Sequence, residues 1–254
     1  MSSFDLSLDA HSSSEKTLEE IFAFLEASDK TCVIAIDEFQ QVADYPDGQR
    51  TVAKIRTEVQ KCKKTRFIFA GSNRRMMEKL FNNPSEPFFM SCSPVPLYAI
   101  DRQKYFDFAK AHFNKAGKNI SEDCFNTIYN LFDGHTWYVQ YVLNRVFEMT
   151  EEKETASKVM IGEALDYILG VYNVTFQDLY VQYSERQRAL LLAVAREGKV
   201  GEILSSEFMT AHNLRSSSSV QGALRPLIEN EAIVREESGY YVGNRFFSLW
   251  MKRM

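Results

Sequence analysis

The chain has 254 residues, of which 45% are hydrophobic and 25% charged, and its 11 Gly and 6 Pro are too few for a disordered or collagen-like polymer. Its 30 Lys and Arg stand against 34 Asp and Glu, and the net charge of −4 excludes a global basic field that would attract nucleic acid or an acidic membrane. A chain of this length can bury a core without metal or disulfide staples, and we expect one to three domains.

The sequence has none of the patterns of a membrane or secreted protein. Its longest aliphatic run, residues 189–195, is far shorter than the roughly 20 residues of a membrane span. The N-terminus is rich in serine and acidic residues and lacks the basic-then-apolar pattern of a signal peptide. The four cysteines form no CxxC pair, which predicts reduced thiols and no structural zinc. We therefore expect a cytoplasmic protein with no membrane partner.

The first part of the chain has an α/β pattern. An amphipathic helix, for which Ser14 is the candidate cap, precedes the apolar run 31–36, which is typical of a strand buried on both faces. After a turn at 44–48, a second amphipathic helix leads to another apolar run at 66–70. This order of strand, helix and strand predicts a parallel βαβ unit with a right-handed crossover.

The pattern becomes helical after the proline-rich stretch 84–96. Helical periods and caps predict helices at 101–115, 121–132 and 136–149, then an exposed linker at 150–158 and further helix to 183.

The last part of the chain predicts a winged helix. Ser184 and Gln187 form a capping box ahead of the first helix. Two further helices and two short strand-like runs follow, at 206–212, 216–229, 232–235 and 240–242. Three helices followed by a hairpin are the winged-helix arrangement.

The string with the most chemical information is an apolar strand that ends in two adjacent carboxylates, Asp37 and Glu38. The carboxyl end of a parallel strand lies at the crevice where open α/β sheets bind ligands. In phosphoryl transfer, one such carboxylate holds Mg²⁺, and its neighbour orients or deprotonates the attacking water. A strand that runs into an ordinary acidic loop is the alternative for this string alone.

The second strand ends in Ser72 and Asn73, which would lie beside Asp37 if the two strands are neighbours. A hydroxyl or amide at that place can contact a γ-phosphate or the attacking water. A simple turn at the end of the strand is the alternative, and the sequence Gly71-Ser72-Asn73 favours it as well.

The chain resembles the prokaryotic AAA-like ATPases of the STAND class, also called archaeal-type or MNS-clade ATPases, in VIAIDEFQQVADYP, RFIFAGSNRRMMEKLF and DGHTWYVQYVLNRVF. The resemblance extends to the terminal winged helix with its aromatic pattern at 246–250. It implies that Asp37 binds Mg²⁺, that Glu38 and Ser72 are catalytic, and that these strands carry the Walker B and sensor-1 motifs.

The resemblance also implies a lid element that contacts the nucleotide. Gly134 and His135 match the Gly-His-Pro element of the family, in which Thr136 replaces the proline. A turn residue at the start of a helix is the alternative reading of His135.

One motif of the family is missing from the sequence. A P-loop needs GxxxxGK[ST], and the nearest candidate, Lys16-Thr17, lacks its glycines and lies in a predicted helix. We expect either a truncated protein or a divergent member that has lost nucleotide binding. ATP and Mg²⁺ would be the cofactors of the intact family member, and this chain would bind neither and would be inactive alone.

The resulting fold class is α/β plus all-α. We expect a truncated P-loop NTPase-like parallel sheet core at 1–98, a helical lid subdomain at 99–183 and a winged helix at 184–254. The preferred hypothesis is the C-terminal part of a STAND-type ATPase that acts as an ATP-dependent switch and contacts an unidentified protein partner.

Two alternatives belong to other classes, a DNA-binding winged-helix regulator and a protein-interaction module. Residues 184–254 have ten Lys and Arg against eight Glu, yet the expected recognition helix offers only Arg225, with Arg215 just ahead of it. The wing carries Glu236 and Glu237, whose charge opposes contact with phosphates. Protein docking therefore fits this region better than DNA binding.

Overall fold

The computed structural model describes residues 14–254, without the side chains of residues 14–16 and of Arg74. The chain divides into two compact units, whose boundary lies between Pro96 and Leu97. Ser14 begins the first helix, and its expected capping contact lies outside the described side chains.

The first unit contains the predicted pair of parallel strands. Its elements are α1 (Ser14–Ala27), β1 (Val33–Ile36), a 3₁₀ helix (Phe39–Asp44), α2 (Gly48–Lys61), β2 (Arg66–Phe69) and α3 (Arg74–Asn82). The strands β1 and β2 are parallel, in a register that runs from Val33 opposite Arg66 to Ile36 opposite Phe69. The order strand, helix, strand is therefore confirmed, whereas the 3₁₀ helix was not predicted.

A cluster of phenylalanines forms the core of the first unit. Phe39 is fully buried, and its ring centroid lies 4.5 Å from that of Phe69, 5.4 Å from that of Phe88 and 5.9 Å from that of Phe81. Residues of all three helices pack into the same cluster, among them Phe22 of α1. Edge-on and tilted ring contacts of this kind add stability beyond the area that they bury.

The prediction that both strands are buried on both faces is wrong. Ile36, Phe67 and Phe69 point to the phenylalanine cluster, but Val33 is 64% exposed and Ile68 is 54% exposed on the other face. Side chains alternate along a strand, so each strand has one covered and one open face. The three described helices of this unit pack on the covered side, which leaves apolar side chains of the open side in contact with solvent.

The second unit is helical, with three short sheets. Its elements are α4 (Arg102–Lys115), β3 (Asn119–Ile120), α5 (Glu122–Leu131), α6 (Thr136–Met149), β4 (Thr155–Ala156), α7 (Lys158–Val171), α8 (Asn173–Gln182), α9 (Glu185–Glu197), α10 (Ser206–Ala211), α11 (Ser217–Glu229), β5 (Ile233–Glu236), β6 (Gly239–Val242) and α12 (Arg245–Met251).

The helix starts of this unit follow local capping chemistry. The Ser121 hydroxyl accepts a hydrogen bond of 3.1 Å from the backbone N–H of Cys124. The Ser184 and Gln187 side chains each accept from the other residue's backbone N–H, which confirms the predicted capping box. These short-range contacts explain why the predicted and observed helix boundaries agree closely here.

The prediction of an exposed linker at 150–158 is right for the exposure of most of the run and wrong in that the run contains a strand. Thr155 and Ala156 form β4, which pairs in parallel with Asn119 and Ile120 of β3. Ala156 is buried, and so is Thr150, whose hydroxyl donates a hydrogen bond of 2.7 Å to the Val146 carbonyl. The polar composition of this run concealed a strand whose partner lies far away in the sequence.

One continuous core runs through the whole second unit, from Tyr105 to Met251. It includes Val142 of α6 and Phe247 of α12, so the helical region and the winged-helix region share buried side chains. A domain boundary at 183–184 stays a prediction. Within residues 14–254, the helices are too short or too polar for any of them to span a membrane.

We expect Phe39→Ala to lower the free energy of unfolding of the first unit by about 3–5 kcal/mol, because it leaves a cavity between three aromatic rings. Urea unfolding followed by circular dichroism measures the loss. Tyr45→Ala, which truncates an exposed ring just after the same 3₁₀ helix, should change the stability little. Equal losses of stability for the two variants would contradict the burial of Phe39.

The four cysteines are free and differ in accessibility, which predicts an order of alkylation. Burial raises the pKa of the Cys124 thiol to about 11, and the side chain is shielded from solvent. Cys92 is exposed, although partial desolvation raises the pKa of its thiol as well. Iodoacetamide at pH 8, followed by mass spectrometry, should label Cys92 in the folded protein and Cys124 only after denaturation. Rapid labelling of Cys124 in the folded protein would refute this prediction.

Candidate functional site

The carboxyl ends of β1 and β2 are joined by backbone hydrogen bonds that continue beyond the strands. The N–H of Ala70 donates to the Ile36 carbonyl at 2.9 Å, and the N–H of Phe39 donates to the Ala70 carbonyl at 2.9 Å. Asp37 and Glu38 lie between Ile36 and Phe39, the two residues that bond to Ala70. Ser72 follows Ala70 after one glycine. The structure thus brings together three of the four polar residues that the sequence placed at this end of the sheet, and the side chain of the fourth, Asn73, caps α3 by accepting from the Met76 N–H at 2.9 Å.

Glu38 is held by its backbone and by its side chain. It has φ 49° and ψ 38°, a left-handed conformation that is uncommon outside glycine, and such conformations concentrate at functional sites. Its Oε2 atom accepts a hydrogen bond of 3.0 Å from the Ser72 hydroxyl and another from the side-chain amide of Gln40. The two donors share one carboxylate oxygen, so the orientation of the carboxylate is set by two residues besides Glu38 itself.

Asp37 is exposed at the end of β1. Its Oδ1 atom accepts a hydrogen bond of 2.9 Å from the backbone N–H of Glu38, which ties the two acidic residues to each other. The carboxylate is accessible from solvent, as a ligand of a hydrated Mg²⁺ ion must be. Its role as a metal ligand stays a prediction.

Gln40 and Gly71 complete this arrangement, and sequence reasoning missed both. Gln40 is 4% exposed, and its Oε1 atom is buried without a hydrogen-bond partner among the described residues. A Cβ atom at Gly71 would overlap the Gln40 amide and stand 2.6 Å from the Met77 sulfur. Glycine after a strand often marks such a close approach, and this was the one sequence signal for the contact.

Gly134 and His135 belong to the second unit, where they lie between α5 and α6. Gly134 has φ +73°, and a Cβ atom there would stand 2.6 Å from the Tyr129 ring, so its backbone and its surroundings both require glycine. The His135 ring lies 4.9 Å from that of Tyr138. Burial and the nearby charge of Arg245 lower the pKa of His135, which favours a neutral imidazole at pH 7. Contact of these two residues with a nucleotide stays a prediction.

The residues at the end of β1 fit Mg²⁺ better than they fit a nucleotide phosphate. Asp37 and Glu38 offer the oxygen ligands that Mg²⁺ takes, one or two carboxylates with the rest from water or substrate. A phosphate cradle of the GxxxxGK[ST] type is absent from the 254-residue sequence. Across residues 14–254, no three side chains of His, Cys, Asp or Glu converge on one point.

Some of the charged side chains of the winged-helix region form ion pairs within the protein. Arg225 pairs with Glu229 at 3.0 Å on the exposed face of α11. In the wing, Glu236 accepts a hydrogen bond of 2.6 Å from the Tyr241 hydroxyl and pairs with Lys199 at 3.3 Å. These internal pairs reduce the positive charge that this face could offer to a phosphate backbone.

Comparison with known proteins supports the fold of both parts. Residues 174–253 match the model of a family described as a probable winged helix domain, which confirms the predicted winged helix. The match begins with α8, ten residues before the predicted boundary at 184. No curated protein matches the chain.

Among solved structures, the chain is similar to a Walker-type ATPase of Pyrococcus abyssi, with a TM-score of 0.62 and 16% identity over 98% of this chain and 72% of that one. It is also similar to the ORC2 protein of Aeropyrum pernix, with a TM-score of 0.47 and 10% identity over the same shares of the two chains. The first similarity shows the fold alone. The chain therefore has a fold like that of a Walker-type ATPase, with a winged helix near its C-terminus.

We expect Gly71→Ala to destabilise the first unit by about 1–3 kcal/mol, because the added methyl group displaces Gln40 or Met77. Gly222→Ala is the matched control, since a Cβ atom at that helical position meets nothing within 4 Å. Urea unfolding of the two variants measures the difference. If Gly71→Ala is as stable as the wild type, the close packing of Gln40 on Gly71 is wrong.

Proposed function

We propose that the chain is the C-terminal part of an AAA-like ATPase of the STAND class, which acts as an ATP-dependent switch in its intact form. The observation that carries the proposal is the 3.0 Å hydrogen bond between Ser72 and Glu38 at the carboxyl ends of two adjacent parallel strands. A carboxylate at this edge of a parallel sheet can orient an attacking water, and a hydroxyl beside it can contact a γ-phosphate.

In this proposal, Asp37 holds Mg²⁺, Glu38 orients the attacking water and Ser72 senses the phosphate. When bound, Mg²⁺ would supply charge stabilisation to the phosphoryl oxygens. Gln40 and Ser72 both hold Oε2 of Glu38, so the carboxylate is oriented before substrate arrives. Such pre-organisation lowers the entropic cost of the reactive geometry.

The chain alone would not hydrolyse ATP, because no residues of its sequence form a P-loop. The open face of the β1–β2 sheet supports the proposal that the ATPase core needs a further segment. Parallel sheets are usually covered on both faces, and here Val33 and Ile68 are exposed. We propose that an additional α/β segment covers this face and supplies the phosphate cradle.

We also propose that Gly134 and His135 contact the nucleotide, as the resemblance to the family implies. A neutral imidazole can donate one hydrogen bond and accept another, and a nucleotide base offers partners of both kinds. The lowered pKa of His135 keeps it in that form at pH 7. Thr136 stands where the family has proline, and its backbone N–H is then available as a further donor.

We expect the 254-residue chain to show no ATP hydrolysis on the order of 1–10 s⁻¹ in the presence of Mg²⁺, and Glu38→Gln to leave this baseline unchanged. Phosphate release measures the rate. Turnover at ordinary enzyme rates that Glu38→Gln abolishes would overturn the claim that the chain is inactive alone.

The complementary experiment begins with the genomic DNA upstream of the Met1 codon. If an in-frame GxxxxGK[ST] is found there, the extended protein should hydrolyse ATP, and Glu38→Gln should lower kcat by about 100-fold or more. Ser72→Ala should also lower kcat, whereas Ser85→Ala, at an exposed loop serine, should not. Full activity of the Glu38→Gln variant would refute the proposed site.

A further inference from the structure

One arginine, Arg245, connects the Asp133–Gly134–His135 turn to the wing. Its Nη2 atom lies 3.2 Å from the Asp133 Oδ2 atom, and its guanidinium carbon lies 3.9 Å from the centroid of the Tyr241 ring. The Arg245 side chain is 18% exposed, while that of Asp133 is 68% exposed. A single planar cation thus contacts a carboxylate of the turn and an aromatic ring of β6.

Arg245 is also held through its backbone. Its N–H donates a hydrogen bond of 3.2 Å to the hydroxyl of Tyr138, which lies in the first turn of α6. It is the first residue of α12, directly after Asn244, whose side chain caps that helix by accepting from the Phe247 N–H at 3.0 Å. The backbone and the side chain of Arg245 therefore both contact the region around His135.

On the side of the wing, the contacts continue to β5 and to Lys199, which follows α9. The Tyr241 hydroxyl donates a hydrogen bond of 2.6 Å to Glu236, and Glu236 pairs with Lys199 at 3.3 Å. Burial and the Glu236 carboxylate raise the pKa of Tyr241, so the phenol remains a donor at neutral pH. The Tyr241 ring that Arg245 contacts is thus held in place by the hydrogen bond of its hydroxyl.

On the side of the turn, two successive residues have left-handed backbones. Asp133 has φ 51° and Gly134 has φ +73°. The turn is closed by hydrogen bonds of 2.9 Å from the Gly134 N–H to the Tyr129 carbonyl and from the His135 N–H to the Phe132 carbonyl. A left-handed residue other than glycine is strained and persists when surrounding contacts hold it. The ion pair with Arg245 is such a contact.

An exposed ion pair alone contributes little to the stability of the fold, because the conformational entropy lost when two long side chains are ordered offsets their attraction. Here the arginine is already ordered by the Tyr241 ring and by its place at the start of α12. Asp133 is short and belongs to a closed turn, so little further freedom is lost when the pair forms. Both features favour a contact that stabilises the turn measurably.

We propose that Arg245 is a positioning residue that fastens the Asp133–Gly134–His135 turn to the wing, so that the turn and the wing open and close together. The inference depends on the proposed function only for the nucleotide-facing role of Gly134 and His135. If a nucleotide shifts the turn, this contact carries the shift into the winged helix.

Hydrogen exchange of the full 254-residue chain, without nucleotide, tests the proposal. Arg245→Gln should accelerate exchange of the Gly134 and His135 amides and of the wing amides about fivefold, since it removes the ion pair and the ring contact. Arg235→Gln is the matched control: it removes the same charge and an arginine over the neighbouring wing ring, Tyr240, at 5.6 Å. The control should leave exchange at the turn unchanged.

Asp133→Asn provides the decisive measurement, because this exposed, nearly isosteric change lies in the turn and should leave the fold intact. We expect it to accelerate exchange in the wing, including that of the Gly243 amide, which donates to the Ala232 carbonyl at 3.0 Å. The Asp133→Asn, Arg245→Gln double variant should exchange no faster than the faster single variant.

Unchanged wing exchange in Asp133→Asn, or multiplied effects in the double variant, would overturn the proposal. Either result would leave the roles of Asp37 and Glu38 untouched, since no nucleotide is present. Conversely, an extended protein that shows no ATPase activity would leave the coupling of turn and wing intact.

Discussion

The parallel pairing of β1 with β2 is the constraint on which the candidate site depends. The register that sets Ile36 opposite Phe69 also decides that Asp37 and Glu38 emerge beside the residues that follow β2. The ladder continues through Ala70, so the bend at Glu38 occurs where its side chain can reach Ser72. A slip of one residue would turn the apolar side chains of a strand away from the phenylalanine cluster and would also separate the two polar ends.

The same register places a buried aromatic side chain directly after the candidate site. Phe39 follows the two acidic residues directly, and it is buried among Phe69, Phe81 and Phe88. The residues that bear the candidate chemistry are therefore attached directly to a fully buried side chain, although they are themselves accessible. The strained backbone of Glu38 is supported by that neighbour, in the way that local strain at functional sites is usually held by the surrounding packing.

Features set by near neighbours in the sequence could be predicted, whereas features set by distant partners could be predicted only where an apolar run marked each strand. The caps at Ser121 and Ser184 act over three residues, and the pattern of the sequence was sufficient to find them. The β3–β4 pair joins residues 36 apart through two-residue strands, which leave no periodic signal.

The candidate site likewise has contacts that the sequence predicts and contacts that it does not. The proximity of Asp37, Glu38 and Ser72 follows from two apolar strands that each end in polar residues. The contact of Gln40 with Glu38 depends on the 3₁₀ helix and on the space at Gly71, neither of which the hydrophobic pattern encodes. The exposure of Val33 and Ile68 was not predicted, because an apolar run does not reveal whether helices cover one face of a strand or both.

The continuous core of the second unit also has a consequence for a cut of the chain at residue 184. Phe247 and Trp250 of α12 pack against Phe176 of α8, and the Trp250 indole donates a hydrogen bond of 2.8 Å to Asn173. A fragment cut at residue 184 would leave these aromatic side chains without their partners and expose a broad apolar surface to water. Because one core runs through residues 97–254, a cut at residue 184 would divide side chains that pack together between two fragments.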